Sequence, residues 1–245
     1  MRRSVEVERW RLTKAMSKAD AACTAAQVLS AASYFAELDP ATLEAVARSA
    51  TQRKYETGQV VFWEGEPCAG LYVVQEGWLK VVKLSVDGRE QVLRVVGAGE
   101  TFGEMGVFAA NPNPATAIAL EPATVWIIQR DAMLQLLDRR PAMARVILQN
   151  MAERVLHLVT LVEDLSLRTV EARLARHLLE RATAGTLHRR RWATQAEMAA
   201  RLGTVLVVLN RALHGLATEG LIEVERHQIR IVDREGLEAR AMLNE

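Results

Sequence analysis

WLKVVKLSVDGREQVLRVVGAGETFGEMGVF, residues 78–108, carries the densest strand and turn signals in the chain. Its two Val- and Leu-rich runs, WLKVVKLSV and EQVLRVV, flank Asp87-Gly88, a pair that tolerates positive φ and so closes a tight antiparallel hairpin. On either side, QVVFWEGE, GLYVVQEG, TAIALE and TVWIIQR repeat the theme: strand-length, rich in Val and Ile, bounded by Gly or Pro. Nine of the fourteen glycines lie between Gly58 and Gly106, and the next is Gly185. Many short strands at this spacing predict an antiparallel sandwich or barrel rather than a βαβ fold.

Helical signals bracket the strands. Upstream, YFAELDPATLEAVARSA offers Asp39 as N-cap, Pro40 at the first helical position, and Leu43, Val46 and Ala47 as an inward stripe. Downstream, DAMLQLLDRRP reads as a short helix stopped by Pro141, and AMARVILQNMAERVLHLVTLVEDL then runs without Gly or Pro. Leu148, Met151, Val155, Leu158, Val162 and Leu165 recur at spacings of three and four, the seam of a coiled coil. Polar Glu153, Arg154, Glu163 and Asp164 flank that seam. Pairing of two such helices makes a symmetric homodimer.

The C-terminal third has its own pattern. VEARLARHLLERA is amphipathic, and in TQAEMAARLGTVLVVLNRALHGLATEGLIEVERHQIRIVD two helices, Gln195 to Arg201 and Val205 to Ala217, meet at Leu202-Gly203. Ala199 is small where the helices cross, and Met198, Leu202, Leu209, Ala212 and Leu213 supply a shared core, the helix-turn-helix pattern. LIEVERHQIRIV then alternates around Arg226-His227, predicting a two-stranded wing.

Composition narrows the function. Of 245 residues, 50% are hydrophobic and 25% charged, which supports packed cores and excludes a disordered chain. The longest apolar runs fall far short of a membrane span, so no membrane partner is expected. The net charge of +1 conceals an asymmetry: all five lysines lie at or before Lys83, while Thr169 to Arg230 holds ten Arg against six Glu. Cys23 and Cys68 form neither a disulfide framework nor a C-x-x-C pair, and a cytoplasmic location is expected. Glu6, Glu8 and Asp20 interrupt the N-terminal segment and argue against a signal peptide. No nucleophile with its base, metal cluster or phosphate loop is present, so the reading is of a non-enzyme without a metal site.

The strand series with GETFGEMGVF, the long helix ending EDLSLRTVEARLARHLL, and TQAEMAARLG…NRAL…GLIEVERHQIRIVDREGL together make the chain from about Tyr34 to Asp233 resemble the cyclic-AMP-receptor/FNR (Crp-Fnr) family of bacterial transcription regulators. The resemblance covers about four fifths of the sequence and rests on the order and spacing of these motifs. It implies an α+β chain in four parts. These are an N-terminal helical extension (1–32), a jelly-roll, double-stranded β-helix sensor of the cyclic-nucleotide-binding type (33–134), a dimerisation helix (135–166) and a winged helix-turn-helix domain (167–245).

The same resemblance makes the sensor testable residue by residue. Family members that bind a cyclic nucleotide start a short helix with Gly-Glu, whose Glu holds the ribose, and follow it with Arg-Ser, whose Arg neutralises the phosphate. Gly103 and Glu104 are present, but Pro114 and Ala115 stand where Arg and Ser would be, and Leu158 and Val159 replace a Thr-Ser pair for the base. The implied effector pocket is Gly103, Glu104, Met105, Ala115, Thr116, Leu158 and Val159. It lacks the charge-assisted phosphate pair that cyclic AMP or cyclic GMP needs. An iron–sulfur cluster needs four cysteines and the chain has two. All five histidines lie at or after His157, outside the strands, which makes haem the less favoured cofactor. NPNPATA is similar to the branch that senses nitric oxide, redox state or other small molecules, and Cys68 reads as an idle thiol.

For the C-terminal domain the resemblance implies double-stranded DNA with a palindromic operator as partner, and RNA polymerase if the protein activates. Members usually show Arg-Glu early in the reading helix; here Leu206 and Val207 occupy those positions. Thr194, Gln195, Thr204, Asn210, Arg211, His214 and Arg226 remain candidate contacts, with Val205, Leu206 and Val207 at the helix start. Three consecutive residues cannot share one inward face. They therefore suggest an altered A·T-rich site, a protein-binding helix, or a domain that no longer reads sequence. The corresponding whole-protein alternatives are a sensor and protein-interaction module, or a constitutively active regulator without an effector.

Overall fold

The computed structural model describes residues 25–188 and 190–242; Cys23 and most of the expected N-terminal extension lie outside the described residues. The apolar strand runs pair as two four-stranded antiparallel sheets. One has the order β1 (Thr51–Tyr55), β8 (Ala123–Gln129), β3 (Gly70–Glu76), β6 (Thr101–Phe102). The other runs β2 (Val60–Phe62), β7 (Thr116–Ala119), β4 (Leu79–Leu84), β5 (Glu90–Val96). Between them Phe62, Tyr72 and Phe102 are buried with Tyr72 and Phe102 stacked at 4.8 Å between ring centres. The Asp87-Gly88 hairpin forms as expected: Leu84 pairs with Glu90, and Ser85 N donates to Arg89 O at 2.9 Å. Two strands of these sheets escaped the sequence reading. β1, TQRKY, is polar and pairs along β8 through its backbone, and β6 has only two residues.

A second core lies on the outer face of β3 and β8. Leu71, Val73, Trp126 and Ile128 pack there against Leu29, Tyr34 and Phe35, against Val46 and Ala47 of α1 (Pro40–Ser49), and against Met133 and Leu136. Asp39 caps α1, accepting from Thr42 N at 3.0 Å, with Pro40 at the first helical position. The one-turn α2 (Glu104–Phe108) follows β6.

Residues 135–142 do not belong to one dimer helix. Arg130–Arg139 is a separate helix, α3, and the long helix α4 runs Met143–Leu167 after the break at Pro141. Its 25 residues span about 38 Å at 1.5 Å per residue. α4 ends at Arg168, which is extended, and α5 (Val170–Arg181) opens the C-terminal domain with Thr169 as its cap.

The wing is three-stranded rather than two-stranded: β9 (Thr186–His188) pairs with β11 (Gln228–Ile231), which pairs with β10 (Ile222–Val224). TLH beside Gly185 is too short to show a period of two. The helix-turn-helix comprises α6 (Gln195–Arg201) and α7 (Leu206–Thr218), and Val205 is the extended N-cap of α7 rather than its first residue. α8 (Arg234–Ala241) closes a core of Leu174, Leu178, Leu209, Leu216, Ile229 and Leu237. Among the described residues, no helix is long and apolar enough to cross a membrane.

Candidate effector pocket and DNA-reading surface

Gly103 is left-handed at φ +86°, and a Cβ there would lie 2.9 Å from the Tyr72 ring and 3.0 Å from Gly70 O. Only glycine fits that close approach. The turn places Glu104 at the start of α2, where it is 1% exposed. Thr101 Oγ1 donates to its Oε1 at 2.6 Å, Arg154 Nη1 to Oε2 at 2.6 Å, and Arg154 Nη2 to Oε1. A buried carboxylate is tolerable because this bidentate, charge-assisted pair replaces its water shell. Arg154 comes from α4, so a residue read as flanking the seam reaches across to the sensor. It precedes Leu158 by one helical turn and shares its side of the helix. Burial, with the Glu104 charge second, pushes the nearby Tyr34 phenol up to about 12.

The other expected pocket residues divide. Ala115 and Thr116 are buried in the sensor, and Thr116 Oγ1 accepts from Glu64 N at 3.1 Å. Pro114 is exposed, its carbonyl taking a bond from Lys83 Nζ at 3.0 Å. Met105 is exposed on α2, and Leu158 and Val159 are exposed on α4. Cys68 points its thiol toward the Gly70 and Gly103 carbonyls at 3.6 and 3.8 Å, and burial pushes its pKa up, away from the reactive thiolate. His157 Nε2 lies 3.2 Å from Leu93 O.

Along α4, Leu148, Val155, Val159 and Val162 form an exposed apolar line, with Val155 59% and Val162 62% open. Met151 turns toward the sensor core instead. Leu165 faces the helix-turn-helix: a Cβ on Gly203, at φ +63°, would come 2.3 Å from its Cδ2 and 2.6 Å from Gln91 Oε1. Sensor, long helix and reading domain therefore meet at this one glycine.

In the reading domain, Thr194 caps α6 by accepting from Glu197 N at 3.2 Å. Gln195, Asn210 and His214 line one shallow groove with Val224, and Arg211 and Arg226 are exposed beyond it. Val205, Leu206 and Val207 are all exposed, Val207 to 69%. Thr204 and Val205 lie across a cleft from Lys83, Leu84 and Arg89 of the β4–β5 hairpin.

The domains are joined by a charged contact that strand patterning does not announce. Lys80 on β4 is 6% exposed and bonds both Glu90 on β5 and, at 2.7 Å, Glu197 on α6. Burial alone would lower its pKa, but the two carboxylates outweigh it and hold it above the ordinary lysine value. Arg168, at the joint between α4 and α5, bonds Glu163 at 2.9 Å and Ala241 O at 2.7 Å.

Comparison with known proteins agrees with this architecture. The cyclic nucleotide-binding domain model matches residues 52–140 and the Crp-like helix-turn-helix domain model residues 172–240. The chain is 29% identical over 221 residues to the CRP-like cAMP-activated global transcriptional regulator of Mycobacterium tuberculosis, covering 88% of this chain and 99% of that protein. It is 30% identical over 175 residues to the cyclic AMP receptor protein of Thermus thermophilus, covering 71% and 80%. The structure of FixK2 from Bradyrhizobium japonicum superposes with a TM-score of 0.68 at 25% identity, over 79% of this chain and 98% of that one. With a sensor of the cyclic-nucleotide-binding fold carried through one long helix to a Crp-like helix-turn-helix domain, the chain belongs to the Crp-Fnr family of transcription regulators.

Proposed function

We propose that this protein acts as a homodimeric, DNA-binding regulator in the cytoplasm, not as an enzyme, and that its effector is not a cyclic nucleotide. The observation that carries the reading is the exposed apolar line Leu148, Val155, Val159 and Val162, which runs down α4 directly into the reading domain. Pairing two such helices sets two copies of α7 side by side for half-sites one helical turn apart. Gln195, Asn210, Arg211 and His214 then supply the base and phosphate contacts, with Thr194, Thr204 and the wing residue Arg226 beside them. The effector reading rests on the Glu104–Arg154 pair, which already engages both carboxylate oxygens, and on Pro114 and Ala115, which bring no cation to a phosphate. A signal that disturbs α2 acts on α4 through Arg154 and thereby on the joint at Arg168. RNA polymerase is the further partner if the output is activation.

A second reading is favoured by Val205, Leu206 and Val207, whose exposed apolar side chains suit a protein partner better than a guanine edge. Selection from random duplex DNA separates the two. Enrichment of a palindrome with salt-dependent affinity is expected, and only weak, sequence-blind retention counts for the second reading. Leu206→Arg with Val207→Glu is expected to gain about 1–3 kcal/mol of discrimination for each restored base pair contact.

A further inference from the structure

Away from the Glu104 pocket, a cleft opens between the sensor and the reading domain. Its sensor wall includes Trp78, and its other walls come from α5, α6 and the segment joining β9 to α6. Three guanidinium groups, Arg181, Arg190 and Arg201, and two imidazoles face a single carboxylate, Glu197. That carboxylate is already bonded to Lys80. Arg190 lies over the Trp78 ring at 4.5 Å, whereas the guanidinium groups of Arg181 and Arg201, which line the same cleft, make no ion pair or hydrogen bond among the described residues. The indole N–H of Trp192, which also lines the cleft, is buried without an acceptor.

Gathering like charges in a partly enclosed site is unfavourable unless an anion joins them. The electrostatic response of the neighbours agrees: burial and the Arg181 charge pull Arg201 down to about 10, and burial with Arg201 and Arg181 pulls His177 down to about 3. We infer that this cleft is a binding site for a phosphoryl-bearing small molecule, held by Arg181 and Arg201 with the Trp192 N–H as a further donor. Planar guanidinium forks match phosphate oxygens bidentately, which suits them to a phosphoryl group at the mouth of this cleft. Duplex DNA is the less suitable occupant because the sensor, through Trp78 and Val95, forms one wall. Filling the cleft ties the two domains together, and the assignment stands whether or not the reading domain recognises a DNA sequence.

The test is calorimetric titration of the full chain with pyrophosphate at constant ionic strength, with tryptophan fluorescence as a second readout. Saturable binding at one site per chain is expected, weakened at least about tenfold by Arg181→Gln and by Arg201→Gln and unchanged by Arg48→Gln on α1. Arg181 lies at the exposed rim, so its substitution leaves the fold intact; Arg201→Gln, which relieves a repulsion, leaves the melting temperature of the anion-free protein unchanged or higher. The proposal is overturned by absence of saturable binding, or by parent-like pyrophosphate affinity in both variants. It is equally overturned if the substitutions weaken duplex binding while pyrophosphate binding stays at the parent level.

Discussion

At the scale of single residues, Glu104 is a buried carboxylate held by the guanidinium of Arg154. Removing one partner strands a buried charge, so Arg154→Met is expected to cost about 3–5 kcal/mol, read as a lower urea midpoint. Glu104→Gln combined with Arg154→Met should recover much of that loss, because no unpaired charge then remains. A double variant as unstable as the single one would show that the pair is not the source. His177 predicts a pH dependence with a definite sign. Burial, reinforced by Arg201 and Arg181, holds its folded pKa at about 3 against 6.5. Its contribution is therefore fully present above pH 6.5 and is lost as pH falls from there toward 3, since the unfolded chain takes up a proton that the folded one refuses. Denaturation between pH 7 and 5 should show a stability slope of up to about 1.4 kcal/mol per pH unit, flattened by His177→Gln. An equal slope in the variant would assign the effect to other groups.

At the scale of elements, α4 has one face on the sensor and another in solvent. Met151 and Ile147 point to the sensor core, Arg154 points to the pocket, and Leu148, Val155, Val159 and Val162 point away. Spacings of three and four alone could not separate these faces, because Met151 and Val155 are both apolar and both fit a heptad. Val155→Glu with Val162→Glu puts like charges into the proposed seam and should yield a folded monomer in sedimentation equilibrium. A persistent dimer would place the interface elsewhere. The strand series was legible for the complementary reason: Val- and Ile-rich runs broken by glycine have few other solutions. β1 and β9 were not, since TQRKY and TLH are strands only because a neighbour supplies the ladder.

At the scale of the whole molecule, the reading domain is docked on the sensor. Lys80 bridges Glu90 and Glu197, Gly203 fits against Leu165 and Gln91, and Trp78 meets Trp192 at 5.8 Å between ring centres. Lys80→Gln leaves two carboxylates facing each other without a cation. Solution scattering should then report a larger radius of gyration while the far-ultraviolet circular dichroism stays constant; an unchanged radius would mean that the apolar contacts suffice. These contacts join the sensor to the reading domain through α4 and across the β4–β5 hairpin.

Local chemistry was enough to establish the antiparallel strand series, the long helix and the helix-turn-helix, because turns, periodicity and residue type act over a few positions. Two features needed the folded chain. Arg154 looks like any solvent-facing charge until α4 lies against α2, and Lys80 and Glu197 are 117 positions apart. A charge finds its partner through space, and the burial that makes the pairing consequential exists only once the domains have packed.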